Sequence, residues 1–389
     1  MTHTTPTTVA LQSLLFSSDA FRSCLFRQPS ARELEFLQFF STVQSFLSQD
    51  EKRMLGRYHR RGRNGYAMSS ILGIMLLKLL YQMRTMKATL QLLHENGNLK
   101  DMLAITKVPS EATVSRLSKE VEKIVNPSDL HQRVVQAYMK SLDRLAVGHL
   151  SIDSTTIEAR EKPVKTRVPK KAKTNKKRGR KAKGSVAEQQ HRELQARQEQ
   201  ERIAYLQESF EESLSRLEMR CSITAKQNSK GKKQWFIGYK AHLATDDYGV
   251  PMSFAVTGAS VHDSKVAVPL MKKTREITDF WYVLLDKGYI SPVINDYVDM
   301  IERKVIIDRK AYKGVVATPL DPASQQRYTA RTTVERTNSE LKDGFLPDTI
   351  YKRGAQARYE IALAILLTTM KKVRNVLILY EELKVNRAS

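Results

Sequence analysis

Gly148-His149-Leu150-Ser151-Ile152-Asp153 is where this 389-residue chain stops reading as helix and starts reading as sheet. Upstream, apolar residues recur at helical spacing: 36–46 carries an apolar face, 69–93 reads as one long apolar helix interrupted by Gly73, and 98–104 as a short one. Downstream the period drops to two. Residues 235–244 and 250–256 read as strands flanking a turn at Asp246-Asp247-Tyr248-Gly249. Residues 280–285 and 305–307 read as further strands, alternating with helices over 265–277 and 292–303.

Antiparallel strands followed by alternating units predict an α/β fold, a mixed sheet flanked by helices in the RNase H-like order. The expected division is an all-α region over 1–147, a catalytic domain over 148–389, and an insertion over 162–220 after the first strand. The longest apolar stretch, 71–77, is far below the roughly 20 residues that span a bilayer. The N-terminus lacks the basic-then-apolar layout of a secretory signal. Two cysteines, Cys24 and Cys221, exclude a disulfide framework and a Cys-rich zinc site and suit a reducing cytosol.

Charge narrows the partner. Lys and Arg number 65 against 41 acids, a formal +24, and an excess of that size draws polyanions through counterion release. Residues 162–183 hold twelve basic side chains and no acid, half of the net charge, and include Lys176, Lys177, Arg178 and Arg180. With Pro163, Pro169 and Gly179 inside it, the segment reads as a tether that contacts phosphate without sequence preference, or as a solvated linker. Residues 186–219 then read as one amphipathic helix carrying Ile203, Leu206, Phe210, Leu214 and Leu217. It suits a coiled-coil arm or docking on its own domain. Ser110 is a candidate N-cap for a helix over 111–124 that presents Thr113, Ser115, Arg116, Ser118 and Lys119, which suits a helix-turn-helix reader of DNA. Arg57, His59, Arg60, Arg61 and Arg63 form a further basic cluster, a backbone contact or a charged loop.

Two carboxylates end apolar strands: Asp153 after 149–152 and Asp286 after 280–285. An acid at a strand end is held rigidly while facing open space, as a metal site requires, and the alternative is a turn-capping Asp. A third acid, Glu335, sits in a helix expected over 325–342. There Tyr328, Arg331, Glu335 and Lys342 are spaced 3, 4 and 7 apart and share one helix face. Asp263 reads as an N-cap, with a supporting role beside His262 in the site as the alternative; Lys240 and His242 read as sheet-face residues; Gly288 and Tyr289 read as shaping the turn after Asp286, with contact to DNA second. No Ser-His-Asp set, Walker loop, dinucleotide fingerprint or zinc spacing is present.

These residues carry a resemblance. Ile152-Asp153-Ser154-Thr155 with Glu158-Ala159, Phe236-Ile237-Gly238-Tyr239-Lys240-Ala241-His242, Val261-His262-Asp263-Ser264, Leu285-Asp286-Lys287-Gly288-Tyr289 and the Tyr-x2-Arg-x3-Glu-x6-Lys motif at 328–342 together resemble bacterial insertion-sequence DDE transposases. The resemblance spans 150–345, and 61–120 is similar to the N-terminal region of such enzymes. The long basic insertion departs from compact members.

The resemblance implies phosphoryl transfer on DNA. Asp153, Asp286 and Glu335 are then the catalytic acids holding two Mg²⁺ ions, with Mn²⁺ as the substitute. It implies that Tyr328, Arg331 and Lys342 grip the cleaved end. It also implies a homodimer acting on paired terminal inverted repeats and target DNA, in the cytoplasm at the nucleoid. Two alternatives remain: a metal-dependent nuclease of the same fold that cuts without joining, and a catalytically silent DNA-binding descendant. Binding of RNA by the basic tether is a third.

Overall fold

The computed structural model describes residues 28–56, 65–164, 184–227, 231–308 and 319–388. The cluster at 57–63, residue 24 and the basic run that includes Lys176, Lys177, Arg178 and Arg180 lie outside the described residues.

Seven helices come first: α1 (Ala31–Phe46), α2 (Gln49–Leu55), α3 (Met68–Leu80), α4 (Met86–Glu95), α5 (Gly97–Met102), α6 (Glu111–Ile124) and α7 (Pro127–Ser141). The expected single helix over 69–93 is two. The chain turns between α3 and α4 through Gln82 at φ 52°, and the Thr85 side chain caps the second helix. Gly73 does not break α3. A Cβ there would lie 2.1 Å from Leu103 Cδ2, so glycine lets the helix approach its neighbour. Ser110 caps α6 as expected, accepting from the Thr113 amide. Ser118, expected on the exposed face, is instead buried, and its hydroxyl donates to the Ser115 carbonyl.

The sheet contains β1 (Ala146–Ala159), β2 (Ser222–Gln227), β3 (Lys233–Thr245), β4 (Pro251–Gly258), β5 (Asp279–Leu285), β6 (Lys304–Ile307) and β7 (Thr349–Ile350). Its path is β2-β3-β1-β5-β6. β1 runs parallel to β5, and β5 to β6, while β1 and β3 are antiparallel, giving the mixed α/β sheet of an RNase H-like fold. One edge of β3 carries β2 and then β4 in succession, with Ser222 opposite Gly238 and Gly258 opposite Tyr239.

The insertion leads into α8 (Val186–Gln207) and α9 (Phe210–Ser215), so the single amphipathic helix expected over 186–219 is also two. Ser209 interrupts it by forming a capping box with Glu212. The C-terminal end of α8 docks on the domain: the Tyr205 hydroxyl donates to the Lys265 carbonyl at 3.2 Å, and Lys272 Nζ donates to the Tyr205 and Glu208 carbonyls. α10 (Ser264–Arg275), α11 (Pro292–Met300), α12 (Pro322–Tyr328), α13 (Thr332–Phe345) and α14 (Gly354–Ala388) complete the chain. No described helix is long and apolar enough to cross a membrane.

The helices and the sheet share one apolar core, which runs from Phe36 and Leu76 through Ile152 and Val283 to Leu366. Within it Lys78 of α3 is ion-paired to Glu360 of α14, both almost fully enclosed. Burial pulls the Lys352 ammonium below its ordinary value, while Glu360 acts to hold it charged. Glu360 thus faces two buried cations. Glu360→Gln should cost roughly 3–5 kcal/mol by leaving both uncompensated, and Lys78→Met less, as urea unfolding midpoints would show.

Glu51 ties α2 to α7 by forking onto Arg133 at 2.7 and 2.8 Å. Burial pushes its carboxyl up, but Arg133 and Ser48 prevail and hold it below 4.5. A depressed acid adds stability above its unfolded value and loses it as pH falls through the folded value. Glu51→Gln should therefore lower the melting temperature near pH 7, and the difference should shrink as pH falls below the ordinary carboxylate range.

Candidate active site

Asp153 lies in the middle of β1, not at its end, because β1 continues to Ala159. Its register explains why it still faces open space. Pairing of β1 with β5 ends at Ile152 opposite Leu285, so Asp153 and Asp286 are the next residues on two strands about 4.8 Å apart. Asp286 leaves the sheet there. It is exposed, and its Oδ1 accepts from the Lys287 amide at 2.5 Å, opening a single 3₁₀ turn over Lys287–Tyr289.

The expected helix over 325–342 is α12, a 3₁₀ turn at Thr329–Arg331, and α13. Backbone angles stay helical through the junction, so Tyr328, Arg331 and Glu335 keep to one side. The Tyr328 hydroxyl donates to the Leu285 carbonyl at 3.2 Å, which fixes this side to the end of β5, one residue before Asp286. Arg331 Nη2 lies 3.4 Å from Asp153 Oδ1, and Nη1 donates to Glu335 Oε1. One guanidinium therefore bridges two of the three acids. Lys342 stands exposed two turns further along α13, and Arg116 and Lys119 are exposed on α6 in the helical region.

The electrostatics match this geometry. Burial raises the Asp153 carboxyl, Arg331 opposes the rise, and the like charges of Glu335 and Asp263 add to it. Burial works against the Arg331 charge, yet Asp153, Tyr328, Glu335 and Asp286 together hold the guanidinium firmly protonated. So Asp286 acts on the same cation as the other two acids.

Asp263 does not cap α10. Its carboxylate accepts from Lys240 Nζ at 2.8 Å and makes no hydrogen bond to a helix amide. Burial pushes its carboxyl up, but Lys240, with His242 and the Ser154 hydroxyl, holds it below the ordinary range. Lys240 and His242 are thus buried supports rather than plain sheet-face residues. Burial drives His242 down to about 4, so it is neutral near pH 7.

Two residues next to the acids do more than the sequence predicts: Asn338, which it leaves unassigned, and Tyr289, expected only to shape the turn after Asp286. Asn338, one turn after Glu335, donates from Nδ2 to Asp153 Oδ2 at 3.0 Å. The i, i+3 spacing from Glu335 was its only signal. Tyr289 is buried and its hydroxyl has no hydrogen-bond partner; burial first, then Asp263, Asp153 and Asp286, pushes that phenol far up. The hydroxyl therefore stands among the acids.

Among the described residues no group of three or more His, Cys, Asp or Glu is arranged tightly enough to hold a metal ion. The donor chemistry nevertheless suits a hard divalent cation: carboxylate oxygens gathered about one positive charge, with the Tyr289 hydroxyl and Asn338 Oδ1 buried beside them and unpartnered.

Two acids at matching height where β1 and β5 stop pairing, a third acid on a flanking helix and an RNase H-like sheet suit chemistry on a polynucleotide. A family model described as Transposase DDE domain matches residues 148–370, more than half of the chain, and one described as Transposase domain (DUF772) matches residues 30–120. The chain belongs to the DDE transposase family. No curated protein and no solved structure matches it.

An unpaired buried hydroxyl costs about 1–3 kcal/mol. Tyr289→Phe should therefore melt at or above the parent temperature without divalent ions or DNA, measured by calorimetry. A clear loss of stability would mean the hydroxyl is paired.

Proposed function

We propose that this transposase cleaves DNA at the ends of its own element and joins the freed ends to target DNA. The supporting observation is the bridge from Arg331 to Asp153 and Glu335, with Asp286 one register step away. Asp153, Asp286 and Glu335 would hold two Mg²⁺ ions, or Mn²⁺ in their place. When bound, such ions activate a water or a 3′-hydroxyl and stabilise the leaving oxygen.

The chain's own residues do the positioning. Asn338 orients Asp153 by its amide, and Tyr328 fixes the height of α12 and the following turn against β5. Arg331 supplies a planar, permanently charged fork, the group best suited to a non-bridging phosphate oxygen. With a phosphate in the site, its charge would turn from the acids to the substrate. Lys342 extends the cationic surface along α13. Arg116 and Lys119 on α6, with the basic run around Lys176, Lys177, Arg178 and Arg180, would hold flanking duplex by its phosphates. We take 1–147 as the DNA-binding part, 148–389 as the catalytic part and 162–220 as the insertion. The active form would be a homodimer on paired terminal inverted repeats, working at the nucleoid in the cytoplasm.

The test uses purified full-length protein, a duplex bearing the element's terminal repeat, and supercoiled target. Wild type should give both cleaved ends and joined products in Mg²⁺. Asp153→Asn, Asp286→Asn and Glu335→Gln should each lose more than about 10³-fold of cleavage while retaining DNA binding. Asn338→Ala should lose about 10–100-fold, as removal of an orienting partner does. Cleavage without joined products would make the protein a nuclease, and unchanged phenotypes for the Glu335 variant would remove the enzymatic reading.

A further inference from the structure

Beyond Gly238, β3 leaves β1 behind. The β1–β3 pairing ends at Glu158 opposite Gly238, whereas β2 pairs with β3 from Ser222 opposite Gly238 out to Gln227 opposite Lys233. The outer part of this hairpin is therefore a two-stranded ribbon projecting from the sheet. Gly238 is what allows the departure: at φ 152° a Cβ would meet the Ile157 carbonyl oxygen at 2.1 Å.

The ribbon is apolar where a projecting ribbon should be polar. Ile223 faces Ile237 across the strands and Ala225 faces Trp235, so these side chains share one face. Trp235 is 68% exposed, Ile223 44% and Ile237 39%. The same alternating series along β3 reaches Leu243, the register partner of Asp153. Lys232 and Lys233 are exposed beside Trp235, and residues 222–245 contain no acid.

We propose that this ribbon is a second duplex-DNA contact, with Trp235, Ile223 and Ile237 laid into a groove and Lys232 and Lys233 on the bordering phosphates. The proposal rests on the transposase reading for the identity of the polyanion. Charge decides the occupant. A second copy docking through the same face would bring like-charged ribbons together, whereas phosphate neutralises them. Exposed aromatic and aliphatic side chains flanked by lysines are also what groove-inserting strands use. Eight residues separate Trp235 from Leu243, about 27 Å at ~3.4 Å per residue, so the contact would lie roughly eight base pairs from the acids.

The chain has two tryptophans, Trp235 and Trp281, so full-length Trp281→Phe protein reports on Trp235 alone. Titration with a 40-bp duplex of mixed sequence, without divalent ions, should quench or shift its emission. Trp235→Ala should weaken binding about tenfold with an unchanged melting temperature, and Trp235→Phe should recover most of the loss. Lys232→Ala with Lys233→Ala should reduce the slope of log K against log salt by about 1.8. Emission indifferent to DNA together with unaltered affinity would overturn the proposal. So would a monomer–dimer equilibrium shifted by Trp235→Ala in the absence of DNA, which would assign the face to a second copy. None of these readouts requires cleavage, so a protein that bound DNA through the ribbon but cut nothing would sink the enzymatic reading and leave this one intact.

Discussion

The place where β1 and β5 stop pairing governs everything around it. Up to Ile152 and Leu285 the two strands are held in the parallel ladder. One residue later the ladder ends, and both chains present a carboxylate at the same height. Neither acid could be moved by one position without turning its side chain to the other face of the sheet, because strand side chains alternate. Tyr328 donates to the last carbonyl of that ladder, so the helix bearing Glu335 is aligned by the same discontinuity.

Acids gathered at one corner repel one another, and the fold offsets that repulsion with cations of its own. Arg331 lies between Asp153 and Glu335, and Lys240 stands against Asp263. Three acids are therefore neutralised by two side chains of different character. The ammonium of Lys240 is buried and fixed by the Val261 carbonyl as well as by Asp263. The guanidinium of Arg331 keeps its Nε without a partner, so its bonding is incomplete. A group with spare donors and several acidic neighbours can change partners at small cost when a phosphate arrives. A group with all its bonds made cannot.

Much of this was legible in the residues. The change of period at Gly148 marks the sheet, and the acids after the apolar runs with the helix-face spacing from Tyr328 to Glu335 point to residues that the fold brings to one corner. Most of the failures have a physical origin in tertiary contact, and one, at Ser209, in a local cap. Gly73 looks like a helix breaker until Leu103 is seen to occupy its missing side chain's place. Asp263 looks like a cap because a strand-to-helix junction usually needs one, yet a buried lysine from β3 claims it. Ser209 ends α8 by a capping box that the apolar spacing across it conceals. Asn338 has only its spacing from Glu335, and the folded chain is what brings its amide to Asp153. Tyr289 belongs to the motif after Asp286, but that motif does not show its hydroxyl buried without a partner.

α14 runs for 35 residues, about 52 Å at 1.5 Å per residue. It packs on α7, α3 and α6 of the helical region as well as on α13 and β4 of the sheet domain. Its apolar surface from Ile361 to Leu367 has no exposed stretch to spare. The helical region and the sheet domain therefore have no independent interiors. A reading frame interrupted before Gly354 would leave both open to water, so premature termination would silence the element through loss of the protein as a whole rather than release a DNA-binding fragment that competes with intact copies.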